Sequence, residues 1–185
     1  MPTKKKLSVG WIGAGRMGYE MAGLLAKGGA DILVWNRTKA KAEPLTRYGA
    51  KVADQVTELA DRDIVFCMVS TWKDVKEVIT TLLSGKAKPR MVIECSSISL
   101  EGSAELRTLL DQHNIQYLAA PVSGNAKVIK AGKLTFVVSG PKSAYETAKP
   151  YLDMMGTGSS YVTAVSPLLL SAIAFTVLPK SRLGL

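Results

Sequence analysis

Among its 185 residues the chain has a single histidine, His113, and only two cysteines, Cys67 and Cys95. So few imidazoles and thiols predict no metal site and no disulfide framework of the kind that staples small secreted domains. Both cysteines sit inside apolar runs, IVFCMV and MVIECS, where a small thiol serves as core filler, and that usage predicts a reducing, cytoplasmic setting. The sequence also lacks an apolar stretch of the roughly 20 residues that a membrane span needs. After Pro167 the run extends only from Leu168 to Leu178, so no membrane partner is predicted. MPTKKK resembles the basic start of a signal peptide, yet the apolar stretch behind it is short and passes directly into a glycine pattern, so no export signal is predicted. Internal repeats and low-complexity tracts are absent. Acidic residues are in deficit, 15 against 24 basic ones, for a formal charge of +9. Such a balance raises the question of an anionic partner. The basic residues are spread along the chain, however, and the tight run Lys4-Lys5-Lys6 has none of the interleaved aromatics that single-strand binding uses. Nucleic acid is therefore not predicted as a partner.

With 47% hydrophobic and 21% charged residues, the composition is that of an ordinary globular protein, long enough for one well-packed domain or one domain and part of a second. Short apolar runs alternate with longer amphipathic stretches. Strands are predicted at Leu7 to Ile12, Asp31 to Trp35, Ile64 to Val69, Met91 to Glu94, Ile115 to Ala119 and Leu134 to Ser139. Between the first two, Met17, Met21, Leu24 and Leu25 follow the spacing of one buried helix face, which Gly28 and Gly29 end. Further helices are expected at Lys39 to Arg47, Trp72 to Leu83, Leu100 to His113 and Lys142 to Met154. Strand then helix, repeated, predicts an α/β, Rossmann-type doubly wound and mostly parallel sheet, with its ligand crevice beyond the carboxyl ends of the strands. His113 closes a helix at the edge away from that crevice and is expected as a surface or capping residue. Trp11, Trp35 and Trp72 are expected to pack rather than to serve as stacking platforms.

Directly after the first strand stands Gly13-Ala14-Gly15-Arg16-Met17-Gly18, a G-x-G-x-x-G pattern opening a helix. The first glycine permits a tight turn and the second lets the backbone approach a pyrophosphate. The third lets helix pack closely on strand, and the phosphates rest at the helix N-terminus. Enzymes that use NAD place an acid about 20 residues further on to hold the ribose 2′-hydroxyl. Here the sequence reads Asn36-Arg37-Thr38-Lys39. Asn36 removes the carboxylate that would repel a 2′-phosphate, Arg37 offers a planar fork of donors, and Thr38 adds a hydroxyl, so NADP(H) is predicted over NAD(H). The alternative for this stretch is a solvated turn with Thr38 as a helix cap.

With these motifs in place, FCMVSTWKDV, IECSSIS and AAPVSGNAKVIKAGKLTFVVSG complete a resemblance to the 3-hydroxyisobutyrate dehydrogenase family of β-hydroxy-acid dehydrogenases, which includes glyoxylate and succinic semialdehyde reductases. The resemblance runs from about Leu7 to about Thr163. It implies an NADP-dependent oxidoreductase acting on a small 3-hydroxy acid or its aldehyde or keto counterpart. It further implies that Met68, Val69 and Ser70 lie over the cofactor, and that Ser97 approaches the nicotinamide. The family's D-A-P-V-S-G-G segment, which holds the substrate carboxylate, stands here as Ala119-Ala120-Pro121-Val122-Ser123-Gly124-Asn125. Ser123, Gly124 and Asn125 are thereby implied as substrate-binding, with Ala119 and Asn125 departing from the family pattern. A catalytic lysine is expected in a G-x-G-x-x-x-K-L-x-N-N pattern, where this chain has Thr163-Ala164-Val165-Ser166-Pro167-Leu168-Leu169-Leu170. Lys180, between Pro179 and Ser181, is no substitute. No catalytic residue is therefore assigned. The domain reading is an NADP-binding unit over 1–163 and a divergent tail over 164–185, as a truncated or frameshifted gene product would carry. The family's oligomerising half is not matched. A reading from another class is a non-catalytic NADPH-binding module.

Overall fold

In the computed structural model, which describes residues 6–162, β1 (Ser8–Ile12) is buried along almost its whole length and flanked on both sides by parallel neighbours. Its partners are β2 (Asp31–Trp35) and β4 (Ile64–Cys67); β3 (Lys51–Val52) pairs beyond β2. On the other side β5 (Met91–Glu94) and β6 (Gln116–Ala119) continue the parallel ladder from β4. The sheet order is β3-β2-β1-β4-β5-β6-β8-β7, with β9 (Gly156–Val162) beside β8 (Leu134–Ser139). β8 runs antiparallel to β6 and to the two-residue β7 (Val122–Ser123), and parallel to β9. This is the doubly wound, mostly parallel architecture expected from the strand-helix alternation.

Successive side chains of a strand point to opposite faces, and the core divides accordingly. Ile64 and Phe66 of β4 join one apolar cluster, together with Met21 and Leu25 of helix α1 (Arg16–Lys27) and Leu152 of α5 (Lys142–Met155). Val65 and Cys67 join the other, with Ile79 of α2 (Trp72–Leu83) and Leu106 and Leu110 of α3 (Leu100–Asp111). Cys67 and Cys95 are both fully buried, free, and on opposite sides of the sheet. Burial pushes both thiols above their ordinary range. They are the apolar filler the sequence indicated.

Five features depart from the sequence expectations. The stretch expected as a helix over Lys39 to Arg47 forms two short 3-10 segments, Lys39–Lys41 and Glu43–Tyr48. Pro44 lacks an N–H and interrupts an α-helical ladder, and Gly49 ends the second segment at φ 91°. Another 3-10 segment, Val56–Asp61, precedes β4, and a short helix α4 (Ala126–Lys130) follows β7; neither was expected. The helix expected to run to His113 ends at Asp111, and Asn114 turns the chain at φ 56°. β9 was not foreseen either, because GTGSSYV reads as a turn. It is held by six residue pairs with β8, by Tyr161 stacking on Tyr145 at 5.0 Å, and by the Tyr161 hydroxyl donating to the carbonyl of Gly140. Among the described residues no helix is long and apolar enough to cross a membrane. The tail over 164–185, Lys180, and the segment expected to hold a catalytic lysine lie outside the described residues.

Candidate functional site

From β1 the chain passes to β2 and β3 on one side, then returns to β4 on the other, so the loops leaving β1 and β4 diverge at their carboxyl ends. A crevice at such a reversal is where open α/β sheets take ligands. Here it is a cavity of about 450 Å³, lined by Gly13, Gly15, Arg16, Met17 and Gly18, by Trp35, Asn36, Arg37, Thr38 and Lys41, and by Met68, Val69, Ser70, Asp74 and Val78.

The turn after β1 is shaped by glycine for separate reasons. Gly13 adopts φ 98°, and a Cβ there would collide with the carbonyl oxygen of Met68. A Cβ on Gly18 would collide with the carbonyl of Gly13 itself. At Gly15 a Cβ would meet nothing within 4 Å, so this position faces open space in the cavity. That carbonyl of Gly13 accepts a 2.8 Å hydrogen bond from the indole of Trp11, a fully buried ring stacked on Phe66. The turn is therefore anchored from the core below it.

α1 starts at Gly15, which offers no capping side chain, and no acid stands in its first turn. Its first N–H groups face the cavity with the positive end of the helix dipole behind them, an arrangement suited to an anion. α2 is capped by Thr71 and Asp74, α3 by Ser99 and α4 by Asn125, while α5, entered from Pro141, is without a side-chain cap like α1. The open approach at Gly15, the uncapped start of α1, and Arg37 and Lys41 in the same cavity lining together fit a dinucleotide phosphate chain.

At the end of β2 the side chain of Asn36 is engaged by backbone at both its amide oxygen and its amide nitrogen. Its Oδ1 accepts from the backbone N–H of Ala14 at 2.8 Å, and its Nδ2 donates to the carbonyl of Thr38 at 2.8 Å. One residue thus ties the glycine turn to the turn after β2 and places no anion there. Arg37, Thr38 and Lys41 line the adjoining wall. Thr38 occupies the start of the first 3-10 segment but makes no side-chain cap. The Arg37 guanidinium lies 3.0 Å from the carboxylate of Asp74 on α2.

Two residues not singled out from the sequence join the loops after β4 and β5. Glu94 is buried at the end of β5, where its Oε1 accepts from the Ser96 N–H at 2.6 Å. Ser96 Oγ in turn accepts from the N–H of Val69 at 3.0 Å. Burial raises the Glu94 carboxyl to about 7, against the opposing pull of the Ser96 hydrogen bonds. An acid at the end of a buried strand, followed two residues later by serine, was the available signal.

Most residues expected at the cofactor therefore share one cavity. Ala14 lies behind it, buried, with its N–H on Asn36. Ser97 is exposed on the loop after β5 and lies outside the cavity lining. Ser123 and Gly124 lead from β7 into α4, where Asn125, in place of the family's glycine, accepts from the N–H groups of Lys127 and Val128 as a cap. Trp35 lines the cavity, Trp11 is core, and Trp72 packs against α3 at Gly102. His113 is exposed beyond the end of α3. Among the described residues no group of three His, Cys, Asp or Glu side chains could hold a metal ion.

Comparison with known proteins matches residues 8–166 to the model for the NAD binding domain of 6-phosphogluconate dehydrogenase. A curated relative, glyoxylate/succinic semialdehyde reductase 2 (chloroplastic) of Arabidopsis thaliana, is 34% identical over 163 residues, covering 86% of this chain and 46% of the reductase. The chain spans about half the length of the curated relatives it matches. Among solved structures, the 3-hydroxyisobutyrate dehydrogenase of Mycobacterium tuberculosis with L-serine superposes with a TM-score of 0.79 at 29% identity, over 84% of this chain and 54% of that one. The imine reductase of Myxococcus stipitatus in complex with NADP+ gives a TM-score of 0.79 at 28% identity, over 91% of this chain and 60% of that one. Its V8 variant, in complex with NAD+, gives 0.80 at 25%, over 92% and 60%.

Proposed function

The chain belongs to the family of the NAD binding domain of 6-phosphogluconate dehydrogenase, with 3-hydroxyisobutyrate dehydrogenases and a glyoxylate/succinic semialdehyde reductase among its relatives, and from that premise we propose that it is the NADP(H)-binding part of a hydroxy-acid oxidoreductase. The reaction is hydride transfer between the nicotinamide and a small 3-hydroxy acid or its aldehyde or keto counterpart. The observation that carries the cofactor choice is Asn36. Both of its amide atoms are committed to backbone, and the wall beside it is built from Arg37, Thr38 and Lys41.

In this reading the pyrophosphate rests on the N–H groups at the start of α1, against Gly15, Arg16 and Met17. Arg37, Thr38 and Lys41 take the 2′-phosphate. Met68, Val69 and Ser70 cover the dinucleotide, Ser97 stands toward the nicotinamide, and Ser123, Gly124 and Asn125 receive the substrate carboxylate. When bound, the nicotinamide supplies or accepts the hydride; the chain's own residues orient it and exclude water.

A hydrogen bond to a charged group contributes roughly 1.5 to 3 kcal/mol net, equivalent to about one to two decades in affinity. Calorimetric titration with NADPH and NADH is therefore expected to show NADPH bound at least about tenfold more tightly, with most of that margin lost in Arg37→Ala. Equal affinities in the parent would overturn the cofactor assignment.

A further inference from the structure

Arg37, which the proposed function gives to the 2′-phosphate, already has an anionic partner. Its Nη2 lies 3.0 Å from Oδ1 of Asp74 and 3.8 Å from Oε2 of Glu77, both on α2. Asp74 belongs to the same cavity wall. Its position is fixed by the way α2 begins. Asp74 Oδ2 accepts from the N–H of Thr71 at 3.1 Å and from the Thr71 hydroxyl at 2.6 Å, while the Asp74 N–H donates to Thr71 Oγ1 at 3.2 Å. The reciprocal cap thus uses one carboxylate oxygen and aims the other at the guanidinium. The Thr71 hydrogen bonds, and after them Arg37, hold this carboxyl below its ordinary range, so it is charged at neutral pH.

We infer that Asp74 sets the degree of coenzyme discrimination by competing with the 2′-phosphate for Arg37. The proposal rests on the NADP(H) reading of this cavity. A phosphate that reaches the guanidinium must displace the Asp74 carboxylate or bind the remaining N–H groups at close like-charge distance from it, whereas a neutral ribose 2′-hydroxyl leaves the pair intact. The penalty therefore falls on NADPH and not on NADH. Acid at the end of β2 is the usual means of favouring NAD; here the acid arrives from the first turn of α2 and acts through the arginine instead of the ribose. Arg37 is 67% exposed, so solvent screens the pair and keeps the effect moderate.

Dissociation constants for NADPH and NADH, measured on the 185-residue chain, test this in the parent, Asp74→Asn, Glu77→Gln, Arg37→Ala and the Arg37→Ala/Asp74→Asn double variant. Asparagine retains an oxygen for the Thr71 cap. Asp74→Asn is expected to tighten NADPH about three- to tenfold and to change NADH less than about twofold. Glu77→Gln, at a longer distance and outside the cap, is expected to act in the same direction with a smaller gain, and it carries the test if Asp74→Asn does not fold. In the Arg37→Ala background the Asp74→Asn gain should fall below about twofold. An unchanged or lowered preference for NADPH over NADH in Asp74→Asn would overturn the proposal, and so would a gain that persists undiminished without Arg37. A parent that binds neither coenzyme refutes the reading of the cavity itself, before any variant is compared.

Discussion

A methyl group added at each glycine of the turn after β1 separates folding from binding. At Gly13, φ 98° and the Met68 carbonyl both oppose a side chain, so Gly13→Ala is expected to cost about 2 kcal/mol or more of stability. Gly15 has φ −73° and open space, so Gly15→Ala should stay within about 1 kcal/mol of the parent in denaturant melts. Yet its methyl enters the space where a pyrophosphate would approach, and NADPH binding is expected to weaken about tenfold or more. A Gly15→Ala chain with parental affinity would remove the phosphate chain from this turn. Glu94 makes a second residue-scale prediction. Its carboxyl is raised from 4.5 to about 7 by burial, so between those values the folded chain holds a proton that the unfolded chain has lost. Stability from this group is therefore full below about pH 4.5 and declines as pH rises to about 7, by roughly 3 kcal/mol. Glu94→Gln keeps an oxygen for the Ser96 N–H and should flatten that slope in melts between pH 5 and 8. An unaltered slope would mean that other groups set it.

At the scale of elements, what was legible in the sequence was local. Strands β2, β5 and β8 and helix α2 have the expected bounds, because apolar runs, turn residues and a Thr71-x-x-Asp74 cap mark their ends within a few positions. In the stretch after β2, Pro44 removes a backbone donor from the span that otherwise reads as one helix, and two 3-10 segments form instead. β3 and β7 are two residues long and show no alternation to read. β9 depends on its neighbour: a Cβ at Gly156 would collide with the carbonyl of Leu134, so the glycine that looks like a turn signal is what lets the strand lie against β8. The same division holds in the candidate site. The glycine turn and Asn36-Arg37-Thr38 are contiguous and could be read. The Arg37–Asp74 pair spans 37 positions and Val69–Ser96 spans 27, links set by how α2 and β5 dock on the sheet rather than by local spacing.

For the whole molecule, the order β3-β2-β1-β4-β5-β6 places the loops after β1, β2 and β4 around one crevice. The surplus of positive charge is not confined to it: a second cleft of about 290 Å³ is lined in part by Lys27, Arg47 and Lys130, with Tyr19, Tyr48 and Glu20 among them. A phosphate-bearing coenzyme could be drawn to either by charge alone, whereas the glycine turn, the uncapped start of α1 and the acid-free end of β2 favour the first. The most direct measurement follows backbone amide resonances of the isotope-labelled chain as NADPH is added. The account expects the largest saturable shifts at Gly13 to Gly18 and Asn36 to Thr38, with little change around Arg47, Tyr48 and Lys130. Shifts centred on that second cleft, or none in a folded chain, would contradict it.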